Sequence, residues 1–92
     1  MTFNIRCGNE IKQVEASRCI TLPGCPGVKL VAHRSERWRD YMISEYSTGL
    51  LCGSGHTIKH AVNKIKDRIE DRGVDYFYNC ISSAKEKYGV IN

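Results

Sequence analysis

Residues 57–73 repeat their apolar positions with a helical period. Ile58, Ala61, Val62, Ile65 and Ile69 fall at i, i+3, i+4, i+7 and i+11, one stripe of a helix. Lys59, Asn63, Lys64, Lys66, Asp67, Arg68 and Glu70 cover the remaining surface. Thr57 is placed to cap this helix, because its hydroxyl can accept from a free N–H of the first turn. Gly73 is placed to end it, since a glycine enters the left-handed region without a Cβ clash. A second helix is predicted over 75–88, with Asp75 as its cap and Val74, Phe77, Ile81, Ala84 and Tyr88 as its stripe. Gly89 followed by Val90 suits a helix end backed by a hydrophobic contact.

Ahead of the helices the period shortens to two. Residues 2–7 place Phe3, Ile5 and Cys7 on one side, as in a short edge strand, and Gly8-Asn9 then turns the chain. Residues 28–34 read as a strand with Val28, Leu30 and Ala32 inward. Residues 38–46 read as a second strand, with Trp38, Met42 and Tyr46 on one face. Ser47-Thr48-Gly49 turns into a short third strand at 50–52, and Gly53-Ser54-Gly55 reads as a hinge into the first helix. Residues 11–22 fit neither period, and TLPGCPG at 21–27 is a loop or double turn. Strands first and helices last predict an α+β fold. The expected architecture is a small antiparallel sheet of three or four strands, packed on one long helix and followed by a second C-terminal helix. All of it falls in a single domain, residues 1–92.

Composition narrows the function classes. Apolar residues make up 41% of the 92, enough for one core and too many for a disordered chain. No apolar run is long enough to span a membrane, and residues 1–12 lack the basic-then-apolar pattern of an export signal. The expected location is therefore the cytoplasm of a host cell, with no membrane partner. The five cysteines are odd in number, so they read mainly as reduced, small, buried side chains. A net charge of +4 permits an anionic partner without requiring one.

The central stretch combines an aromatic-led strand at Trp38, Thr48-Gly49 at a turn, Leu50-Leu51, and Gly55-His56-Thr57 with Ala61 opening a helix. It resembles the three-stranded-sheet-plus-helix DNA-binding module of the integrase arm-binding type. It is also similar to a broad set of small phage accessory proteins, some of them anti-CRISPR or other anti-defence inhibitors. His60 stands where that pattern often has an acidic residue closing a capping box. The resemblance implies a small non-enzymatic phage or mobile-element protein that inhibits a host protein or nucleoprotein complex by occupying its surface. The alternative it implies is a DNA-binding module using the sheet and a basic hairpin.

Five constellations carry candidate chemistry. The segment 33–39 gathers His33, Arg34, Arg37, Trp38 and Arg39, suited to phosphates or to the carboxylates of a protein, but equally to a solvated turn. Cys52, His56 and His60, with Cys19 and Cys25, offer zinc-type ligands at loose spacing, and no metal or other cofactor is expected from them. Cys52 and His56 as a nucleophile and base lack any supporting context, so no catalytic residue is assigned. Lys59, Lys64, Lys66 and Arg68 line a helix face that suits an acidic surface or plain solvation. Tyr76, Phe77 and Tyr78 cannot all be buried by one helix, and with Tyr88 they suggest a protein contact, a homodimer one included. The partner-binding set expected from these is Arg34, Arg37, Trp38, Arg39, Lys59, Lys64, Tyr76 and Tyr78.

Overall fold

Leu30, Val31, Ala32 and His33 are consecutive and all buried, so the strand that carries them needs a layer on each face. The computed structural model describes residues 1–35 and 39–92 and supplies both layers. Strands β1 (Thr2–Cys7) and β2 (Glu10–Glu15) form a two-stranded antiparallel hairpin. Strands β3 (Arg18–Ile20), β4 (Leu30–Arg34), β5 (Tyr41–Glu45) and β6 (Leu51–Gly55) form a four-stranded antiparallel meander in that order. Helices α1 (Ile58–Arg72) and α2 (Val74–Tyr88) follow, each of 15 residues. The class is α+β, as the change of period along the chain predicts.

Cross-strand register sorts the sheet into two faces. Ala32, Ile43 and Gly53 form one row, on the face that meets α1 and α2. Val31 and Ser44 belong to the opposite face, where Phe3 and Ile5 of the hairpin pack on Val31. On the helix side, Ala61 and Ile65 of α1 and Phe77, Ile81 and Ala84 of α2 are buried, while Ile58, Val62 and Ile69 are half-buried. The stripe predicted for α1 is thus the face it buries. The loop at 21–29 adds Leu22, Cys25 and Val28 to the same core through two successive turns, with Cys25 N–H donating to Leu22 O and Val28 N–H to Cys25 O.

Several boundaries differ from the sequence reading, each for a physical reason. Residues 11–22 hold β2 and β3; β2 leaves only Val14 half-buried, so it has no core face on which an alternation could appear. β1 pairs with β2 in a sheet of its own, and Cys7 is exposed at its end. Residues 53–55 are no hinge but the second half of β6. Their glycines admit α1: a Cβ on Gly53 would lie 2.8 Å from Ile65 Cγ1, and one on Gly55 2.9 Å from the backbone N of Ala61. β4 begins at Leu30 and β5 at Tyr41, short of the predicted 28 and 38; Trp38 and Arg37 lie outside the described residues.

At the helix ends, Thr57 caps α1 as expected, accepting from His60 N–H at 3.0 Å. Gly73 ends α1 as expected, with a positive φ of 91 and its N–H donating to Ile69 O at 2.7 Å; its ψ of 153 is not that of a left-handed helical turn, and α2 starts at once with Val74. Asp75 therefore sits inside the first turn, where its charge favours the helix dipole, and is not the cap. After Gly89, Val90 is exposed, and Ile91 lies against Gly49 instead. This tail joins the layers. Asn92 donates to the carbonyls of Asn4 and Tyr46 at 2.7 and 2.6 Å and accepts from Asn4 N–H at 2.7 Å.

Candidate binding surface

The β4–β5 end collects much of what the sequence singled out. Arg34 and Arg39 are exposed. Arg34 Nη2 donates to Tyr41 Oη at 3.2 Å, and its guanidinium lies 5.1 Å from the Tyr41 ring centroid. Asp40 Oδ1 lies 2.8 Å from His56 Nδ1, and the His56 and His60 rings are 6.4 Å apart. Lys59 is exposed in the same first turn of α1. His33 does not belong to this surface. It is buried against the hairpin, with Nε2 3.0 Å from Ser44 Oγ and its ring edge-on to Phe3. Nδ1 has no hydrogen-bond partner among the described residues. Desolvation pushes the His33 pKa below its ordinary value, only partly countered by the nearby Arg34 backbone.

The metal and nucleophile readings gain nothing. Among the described residues no three His, Cys, Asp or Glu side chains come together. Cys19 is exposed on β3, Cys25 is buried in the loop, and His56 is 84% exposed. Burial pushes the Cys52 thiol up to about 12, so it is a packed thiol with no appreciable thiolate near neutral pH.

The tyrosines divide. Tyr78 is half-buried and its hydroxyl donates to Pro26 O at 2.9 Å, so it staples α2 to the loop rather than standing ready for a partner. Tyr76 and Tyr88 are 43% and 44% exposed. Arg72 lies 5.1 Å from the Tyr76 ring centroid, and Lys87 and Arg6 lie 5.2 and 4.5 Å from that of Tyr88. Tyr88 ends the predicted stripe of α2 yet stays exposed, held between these two cations.

Both exposed rings border a groove of about 850 Å³ bounded by β6, α1 and α2. Its apolar lining includes Leu51, Ile69, Phe77 and Cys80, and its cations are Arg68, Arg72 and Lys87; among the described residues no carboxylate lines it. Local chain geometry builds it. The register of β6 slips at Ile43/Ser44, leaving Cys52 without a partner on β5. Cys52 is buried, while Leu51 remains 48% exposed at the sheet edge. Arg68 then reaches back from α1 and donates to Cys52 O at 3.0 Å.

The sequence reading did not assemble this groove. Its signal was present in Leu50-Leu51, since adjacent strand residues point to opposite faces and one leucine has to face outward. A second signal was Arg68 and Arg72 at i and i+4. Of the expected partner-binding set, Arg34, Arg39 and Lys59 stand exposed at one end, Lys64 and Tyr76 are exposed elsewhere on the helices, and Tyr78 is turned inward. No protein-family model matches the chain, and no curated protein or solved structure does so either.

Proposed function

We propose that this chain is a small non-enzymatic binding protein, of phage or mobile-element kind, that inhibits a host protein or nucleoprotein complex in the host cytoplasm by occupying its surface. The contact surface in this reading is the groove bounded by β6, α1 and α2. One observation carries it: Leu51, Tyr76 and Tyr88 stay exposed around an apolar trough whose charged lining, among the described residues, is entirely basic. Large apolar side chains gathered at a surface, ringed by arginine and tyrosine, have the composition of a protein contact. Arg34, Arg39 and Lys59 form a second, more polar patch. DNA lying on the sheet is the weaker reading, because the hairpin already packs on Val31 and His33 of that face.

Affinity capture from a host lysate tests the assignment with three chains. They are the wild type, a Leu51→Glu/Tyr76→Glu chain, and an Arg34→Glu/Arg39→Glu chain, all four positions being largely or partly exposed. The groove-altered chain is expected to lose the captured protein and the loop-altered chain to keep it, with circular dichroism confirming that both fold. The reverse pattern overturns the assignment. Capture of bare duplex DNA that weakens steeply with salt favours the DNA-binding class instead.

A further inference from the structure

We propose that the groove between β6, α1 and α2 receives an acidic amphipathic helix of the partner protein. The inference rests on the binding function proposed above and names the occupant of that same surface. Charge selects an acidic one. Arg68 and Arg72 stand one turn apart along α1, and Lys87 stands across the groove on α2. Asp67, Glu70 and Asp71 of α1 are not among the lining residues. An incoming carboxylate therefore meets cations on both rims, and among the described residues no acidic lining side chain repels it. The rings of Tyr76 and Tyr88, beside Arg72 and Lys87, hold two of those cations at the mouth.

Backbone chemistry selects a helix. β6 is an edge strand, and an edge usually accepts an added strand through its free N–H and C=O groups. Here the register slip interrupts that ladder, and Arg68 already occupies the carbonyl of Cys52. An extended peptide would have to displace that arginine and cross the bulge. A helix satisfies its own backbone and needs only side-chain contacts, which Leu51, Ile69, Phe77 and Cys80 offer along the trough.

Fluorescence anisotropy with two labelled peptides, each about four turns long, tests this. Both carry leucine at i, i+3, i+4 and i+7; one has glutamate on the flanking positions and the other lysine. The acidic peptide is expected to bind at least about tenfold more tightly than the basic one, with affinity falling as salt rises. In an Arg72→Glu/Lys87→Glu chain the order of the two peptides should invert. Both side chains are exposed, and circular dichroism checks the fold. Equal affinities, no binding, or an unchanged preference in the charge-reversed chain overturns the proposal. If that happens while the Leu51→Glu/Tyr76→Glu chain still loses its captured protein, only the occupant is wrong. If that chain keeps its protein, the groove itself is not the contact surface.

Discussion

The two faces of the four-stranded sheet are closed by different means. On the helix side, closure is apolar and close: Ile65 is 2% exposed, and Gly53 and Gly55 let α1 approach the β6 backbone more nearly than any side chain would permit. On the hairpin side, three buried apolar residues, Phe3, Ile5 and Val31, share the layer with a buried His33–Ser44 pair. Asn4 and Asn92 pin that layer in place through hydrogen bonds. Hydrophobic burial supplies most of the stability of a fold, whereas a hydrogen bond adds little net of solvation. The helix side should therefore set global stability, and the hairpin should be able to loosen separately.

The sharpest way to break that contrast is Ile65→Ala. A cavity beneath α1 is expected to cost about 4 kcal/mol, read as a lowered denaturant midpoint for the whole chain. If the hairpin survived that loss, the helix side would not govern the fold. Next in size is Asn92→Ala, which removes the clasp on Asn4 and Tyr46. It should cost about 2 kcal/mol and speed amide exchange in β1 and β2, while α1 amides keep their protection. Equal acceleration in both layers would mean that the two faces open as one.

The smallest effect is a dependence on pH. The folded pKa of His33 lies below 6.5, so in this region the unfolded chain binds the proton more readily. The contribution of the neutral ring is complete above about 6.5 and is lost as pH falls through the lowered folded value. Melting temperature should therefore decline on the acid side of neutrality. A His33→Phe chain should show a flatter profile over about pH 5 to 8. An identical slope would remove His33 from the account.

What was legible in the sequence follows the same division. The stripe of α1 and the strand 30–34 could be read because each buries an apolar face against a continuous core. β2 could not, because its side chains have almost nothing to bury against, and β3 is too short at 3 residues to show a period. Gly53 and Gly55 misled, since a glycine required for close approach looks the same in sequence as one required for a turn. The basic end was visible as charge at Arg34, Arg39 and Lys59. The groove was not, because Leu51, Arg72, Tyr76 and Lys87 come from three elements and meet only once α2 has packed.

The cysteines give the molecule a set of native reporters. Cys7 and Cys19 face solvent, Cys25 and Cys52 lie in the helix-side core, and Cys80 sits half-buried in the groove wall. An alkylating reagent followed by mass spectrometry would thus mark the outer thiols at once and the inner pair only when the core breathes. Cys80 would be shielded for as long as anything fills the trough beside it.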